Sequence, residues 1–219
     1  MGQRKIPLVE ECIYHICTKT IADYVIFKAK KDYNRILGTL FYYMHENIPC
    51  KFSAFLELFE NTKEEKLAEI SDSNKLVEII AYCIMPTHLH LLLKQVKKGG
   101  ISRYMEFVLK SYSKYFNAKL KRTGPLFQGR FKNILIETNE QLLHVTRYIH
   151  LNPVSAYLVN KPEEWKFSSF NEYLDFDNKK QICNFTELID LSPKNYREFV
   201  YDNIGYQREL QKIKHLTME

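Results

Sequence analysis

The sequence predicts an α+β domain in which helices pack on an antiparallel sheet, and three observations predict it. The chain reads strand, helix, strand, strand, helix, strand, helix, a mixed order that is resolved by layering helices on a sheet. Two apolar runs are separated only by Met85-Pro86-Thr87, a link too short for anything but an antiparallel hairpin. Between the third and fourth strands lies the longest run of apolar residues at helical spacing.

The first strand is Cys12 to Thr20 (CIYHICTKT), which alternates and is rich in β-formers. Ile36, Leu37, Leu40, Phe41 and Met44 then recur at helical spacing, giving a helix from Lys31 to about Glu46. Phe52–Glu60 and Glu64–Ile70 read as short helical pieces of an insertion, closed by the polar turn SDSN. Leu76–Ile84 (LVEIIAYCI) is a central strand, and His88–Gln95 (HLHLLLKQ) is its hairpin partner, stopped by Lys97, Lys98, Gly99 and Gly100. The long helix runs from Ile101 to about Arg122 with Met105, Val108, Leu109, Tyr112 and Phe116 as its apolar stripe. Phe131–Glu137 alternates as the fourth strand. Thr138 and Gln141 form a capping box for a helix that should end at Asn152, because Pro153 disfavours the α conformation before it. A short helix near Ser168–Leu174, a helix starting at Ser192-Pro193 and a last piece over Tyr206–His215 complete the chain.

Residues 1–176 are therefore expected to form the main domain, with an insertion at about 50–74, and 177–219 a helical extension. Across 219 residues the hydrophobic share of 45% and charged share of 26% are those of a globular chain with a core of its own. Five cysteines without a CxxC pair indicate reduced, mostly buried thiols and a cytoplasmic protein. The opening residues lack the apolar core of a signal peptide, and no run is long enough to span a membrane. A net charge of +6 is compatible with a polyanionic partner, without identifying one.

Three constellations carry possible chemistry. His88 and His90 alternate with Leu89, so both project from one face of a strand, about 6–7 Å apart along it. Two converging imidazoles make half of a metal site, although the same pattern also fits an ordinary polar sheet face. Tyr148 and Asn152 are four residues apart on a helix and share a face, placing a phenol nucleophile beside a hard oxygen ligand. A core aromatic and a helix C-cap would give the same spacing. His144, one turn earlier, is positioned either to assist proton transfer or simply to meet solvent. Third, Arg103, Lys110, Lys114 and Lys121 line one side of the long helix, and Arg130 and Lys132 follow in FQGRFK. Such cations track phosphates, or form a solvated face. Phe127 and Phe131, interleaved with them, fit a core better than a base-stacking platform.

Taken in order, AYCIMPTHLHLLLK, GGISRYMEFVLKSYSKYFNAK, GPLFQGRFK, TRYIHLNPVSAYLV and EEWKFSSFNEYL resemble the successive motifs of REP-associated tyrosine transposases. These belong to the HUH single-strand nucleases, named for two histidines flanking a hydrophobic residue. The resemblance covers about Tyr14 to Leu174. It implies a ferredoxin-like or RRM-like sheet with the histidines on a central strand. It also implies His88, His90 and Asn152 as metal ligands, Tyr148 as nucleophile, and Mg²⁺ or Mn²⁺ as the ion. The implied reaction is transesterification of hairpin-bearing single-stranded DNA through a 5′-phosphotyrosine, by a monomer or homodimer. The stretch from Phe52 to Asn74 is longer than the family pattern, and the tail after Asp175 lies outside it. Histidine-triad hydrolases would need a third alternating histidine where Leu92 stands, and two-histidine phosphoesterases would need paired HxT or HxS motifs. A domesticated, non-catalytic DNA- or RNA-binding regulator would use the same fold and basic surface without Tyr148 chemistry.

Overall fold

The computed structural model describes residues 7–175 and 181–209. Four strands, β1 (Ile13–Lys19), β2 (Val77–Met85), β3 (His88–Gln95) and β4 (Lys132–Ile136), form one sheet in the order β2-β3-β1-β4. Every pairing is antiparallel. With α1 (Lys30–Tyr42) between β1 and β2, and α4 (Gly100–Lys119) between β3 and β4, the connectivity is βαββαβ. This is the ferredoxin-like arrangement, as the resemblance implied.

Alternation along β1 explains the layering. Tyr14, Ile16 and Thr18 are buried, whereas Ile13, His15 and Cys17 are only half-buried. The register sets Tyr14 opposite Leu93 and Ile16 opposite Leu91, so one face is a continuous apolar wall. Helices α1 and α4 pack on that wall. They are tied to each other by Tyr104, whose hydroxyl donates to the Leu40 carbonyl at 3.1 Å, and by a Lys119–Asp32 ion pair at 2.5 Å. The first turn of α4 needs two glycines. Gly99 adopts φ +73°, and a Cβ on Gly100 would collide with the carbonyl of Leu76.

The other face is covered by α5 (Asn139–Ser155). Thr138 caps it, its hydroxyl accepting from the Gln141 amide at 3.1 Å, while Gln141 Oε1 accepts from Glu137 N at 2.8 Å, one residue earlier than a regular capping box. The helix does not stop at Asn152. It continues through Pro153 to Ser155, because a proline in the last turn removes a single bond while Leu151, Pro153 and Val154 bury their side chains. Helix α4 ends at Lys119, short of the expected Arg122, and α1 ends at Tyr42 rather than about Glu46.

The insertion forms α2 (Phe52–Leu56) and α3 (Glu60–Ser71). It is not wholly peripheral: Phe52, Phe55 and Ile70 are buried and join the main core. The expected helix near Ser168–Leu174 is a 3₁₀ segment, Ser169–Tyr173. The segment before it covers the free edge of β2, where Ile84 N donates to the Phe167 carbonyl at 2.9 Å. Ser192 caps α6 (Pro193–Tyr201) as expected. Residues 204–209 are helical, and the rest of the piece expected over Tyr206–His215 lies outside the described residues. Of the five cysteines, all free, Cys83 and Cys183 are buried, while Cys12, Cys17 and Cys50 are half-buried rather than sealed. Among the described residues no helix is long and apolar enough to cross a membrane.

Candidate active site

The face of the sheet beneath α5 concentrates the reactive side chains. His88 and His90 leave β3 on this face with ring centroids 5.0 Å apart. Tyr148, on α5, lies edge-on to His90 with centroids 5.5 Å apart. His88 and His90 share a face, as the HxH alternation required, and they lie under the Tyr148 phenol, a meeting that only the family resemblance implied.

Sequence reading missed a third member. His15, on β1, is diagonal to His90 across the β1–β3 ladder, where Cys17 is its direct partner. His15 Nε2 lies 3.0 Å from His90 Nδ1, the rings are within 21° of parallel, and Tyr148 packs edge-on to His15 at 5.9 Å. The signal in CIYHICTKT was the alternation of His15 with Cys17. It could not be used without the strand register.

Burial sets the electrostatics. Desolvation lowers His15 and His88 to about 4, the latter helped by Lys19 and opposed by Asp23, so both rings are neutral at physiological pH. Neutral imidazole is the metal-binding form. Burial also raises the Tyr148 phenol above its ordinary value, with Cys17 adding to the effect and Asn152 opposing it. The nucleophile candidate is thus not activated by its own surroundings.

The donor set fits a divalent ion bound partly by solvent or substrate. His88 Nδ1 is 2.9 Å from Thr87 Oγ1, and His90 Nδ1 is held by His15, so Nε2 is the atom of each ring that would face a metal. Asn152 donates from Nδ2 to the Tyr148 carbonyl at 2.8 Å, which leaves Oδ1 of the same amide as a hard donor. Among the described residues no group of three or more His, Cys, Asp or Glu is placed to hold a metal. The two imidazoles, with Asn152 as the oxygen ligand that the resemblance implies, would leave coordination positions for phosphate oxygens, a mixture that suits Mg²⁺ or Mn²⁺.

The cations divide into two groups. Arg130 and Lys132 come together with Lys19, Gln128, Cys17 and Asp23 around a cleft of about 220 Å³ beside the histidines. Lys19 and Gln128 were not expected there. Arg103, Lys110 and Lys114 are exposed on α4, across the sheet from Tyr148. Lys110 and Lys114 line a groove of about 890 Å³ with Arg35, Lys51 and Lys119, walled by Tyr43, Phe107 and Tyr115. Lys121 does not belong to the helix face: it follows the last turn with φ +49°. His144 is outside the site, bonded to Arg147 at 2.8 Å on the exposed side of α5. Phe127 and Phe131 are buried, as their core reading required.

The ferredoxin-like sheet is the fold that the sequence resemblance implies, and comparison with known proteins places the chain in a family. The chain belongs to the family described as IS200-like transposases, whose model matches residues 8–152. A protein of Haemophilus influenzae named as a REP-associated tyrosine transposase is 28% identical over 106 residues, covering 43% of this chain and 59% of that relative's length. A solved structure of a REP-associated tyrosine transposase bound to a REP hairpin matches with a TM-score of 0.53 at 16% identity. That match covers 88% of this chain and 96% of the other, and at that identity it speaks for the fold.

Proposed function

We propose that this chain cleaves and rejoins single-stranded, hairpin-bearing DNA by metal-assisted transesterification, with Tyr148 as nucleophile. The observation that carries the reading is the packing of Tyr148 edge-on against His90 at 5.5 Å, with His88 beside it, at motif positions inside the matched family region. That the DNA bears a hairpin follows the bound ligand of the structural neighbour.

In the proposed step the Tyr148 Oη forms a bond to phosphorus as the bond from phosphorus to the 3′ oxygen breaks. The phenolic proton is lost, and the departing 3′ oxygen gains one. A 5′-phosphotyrosine and a free 3′-hydroxyl result, and attack by a 3′-hydroxyl on the phosphotyrosine reverses the step. The ester bond is exchanged rather than hydrolysed, so no nucleotide cofactor is required. A Mg²⁺ or Mn²⁺ bound by His88, His90 and Asn152 would supply charge neutralisation at the phosphate. Helix α5 fixes the direction of the phenol. Lys19, Arg130 and Lys132, beside the histidines, would hold the flanking phosphates.

The test is incubation of wild type and Tyr148→Phe with end-labelled single-stranded hairpin DNAs and Mn²⁺, followed by a denaturing gel. Label migrating with the wild-type protein but not with Tyr148→Phe is the expected result. Label on both proteins would remove Tyr148 from its role. Tight binding by both with no adduct would favour a non-catalytic DNA-binding regulator.

A further inference from the structure

We infer that His15 is a positioning residue that accepts a hydrogen bond from His90 Nδ1–H, so fixing the tautomer in which His90 Nε2 carries the lone pair. The inference rests on the reading of His88 and His90 as a metal site and extends it to a residue on another strand.

The geometry allows one of two proton placements. Between His15 Nε2 and His90 Nδ1, 3.0 Å apart, lies a single proton. If His15 donates, His90 becomes the Nε2–H tautomer and has no lone pair to offer at that atom. If His90 donates, its Nε2 is the donor atom. The near-parallel rings, 21° apart, put the bond close to the plane of both imidazoles, where nitrogen lone pairs lie. His88 is matched by a second such contact, since Thr87 Oγ1 lies 2.9 Å from its Nδ1. A hydroxyl there takes either role, and the His15–His90 contact likewise has two proton placements, of which only donation by His90 leaves its Nε2 able to bind a metal. His15 is thus the partner whose proton placement decides the His90 tautomer.

The same geometry explains why His15 is not a third ligand. Its Nε2 is engaged at the Nδ1 side of His90, and the two nitrogens of one ring point in different directions. A group bonded at Nδ1 is turned away from a metal bound at Nε2. This agrees with the absence, among the described residues, of any trio of His, Cys, Asp or Glu able to hold an ion. The wider pattern is the one in which a metal-binding histidine is oriented through its other nitrogen.

The test separates this role from packing. His15→Phe keeps an aromatic ring against Tyr148 but removes the acceptor, and His15→Gln restores an acceptor oxygen. In the full-length, metal-free protein, ¹⁵N-imidazole NMR reads the His90 tautomer directly. Mn²⁺ titration followed by electron paramagnetic resonance reads affinity without turnover. The expected results are Nδ1–H on His90 in wild type and His15→Gln, and loss of that preference in His15→Phe. Mn²⁺ affinity should fall about 10–100-fold in His15→Phe and within about threefold in His15→Gln. Wild-type His90 protonated at Nε2, or unchanged Mn²⁺ affinity in His15→Phe, would overturn the inference. Wild-type protein that binds no Mn²⁺ would instead overturn the metal site itself, and the tautomer relation would then be decided by the NMR spectrum alone.

Discussion

The two faces of the sheet are built from the same strands yet carry opposite chemistry. Beneath α1 and α4, β1 and β3 contribute Tyr14, Ile16, Leu89, Leu91 and Leu93, all fully buried. Beneath α5 the intervening positions are His15, Cys17, His88 and His90, with Tyr148 above them. The period of two along a strand lets one segment, HLHLLLKQ, anchor a core and present two imidazoles without compromise. The apolar face thereby fixes the strand that orients the reactive one. The sharpest way to break this division is to exchange consequences across it. Leu91→Ala is expected to cost about 2–5 kcal/mol of stability, with Mn²⁺-dependent adduct formation retained by the protein that remains folded. His88→Ala should cost no more than about 1 kcal/mol while abolishing the adduct. Urea melts paired with the labelled-DNA gel check both, and loss of the adduct in folded Leu91→Ala would mean that the faces are not separable.

That division was largely legible in the sequence, because alternation and helical spacing are local properties. The bounds of β3 matched the strand read from HLHLLLKQ, and the His88–His90 pairing followed from a spacing of two, whereas the approach of Tyr148 to them was implied only by the family resemblance. What was not legible depended on register. His15 reaches His90 only because β1 pairs with β3 so that Cys17 opposes His90, and no periodicity within CIYHICTKT reveals that. Lys19 and Gln128 joined Arg130 and Lys132 for the same reason: strand ends and a loop distant in sequence converge. The end of α5 was misplaced because the local cost before Pro153 was weighed without the burial of Leu151 and Val154.

A second contrast, between a histidine of α5 and a histidine of β3, tests how burial is used. His150 is fully buried with both nitrogens engaged, Nδ1 at 2.7 Å from Tyr196 Oη and Nε2 at 2.8 Å from Ser169 Oγ, among the rings of Phe170 and Tyr173. His88, by contrast, has only its Nδ1 partnered among the described residues. His150 thus locks α6 and the Ser169–Tyr173 segment to α5, a structural role. Its burial depresses it to about 3. A histidine held below its unfolded value of about 6.5 binds its proton in the unfolded chain first. Its contribution to stability is therefore complete above pH 6.5 and is lost as pH falls towards 3. Across that window the loss approaches about 1.4 kcal/mol per pH unit. In His150→Gln the pH dependence of the urea midpoint should flatten relative to wild type, and parallel slopes would show that protonation of His150 does not govern acid lability.

The smallest expected effects compare the two basic surfaces. Lys19, Arg130 and Lys132 sit beside the histidines, whereas Lys110 and Lys114 line the groove on the far side of the sheet. If both surfaces track the same DNA, removing the cation from one phosphate should reduce the slope of log affinity against log salt by about 0.7 for a single strand. Replacing Lys110 and Lys114 with Gln should flatten that slope by up to about twice this value and leave adduct formation at saturating DNA in place. Replacing Arg130 and Lys132 with Gln should flatten the slope and also slow the adduct, because the proposed reading assigns to this cleft the phosphates flanking the one that Tyr148 attacks. Binding measured over a salt series separates the cases. A slope unmoved by the Lys110 and Lys114 changes would make the α4 face a solvated surface and confine DNA to the histidine face. A slope moved equally by both pairs, with neither affecting the adduct, would mean that the cleft holds DNA without positioning it for attack.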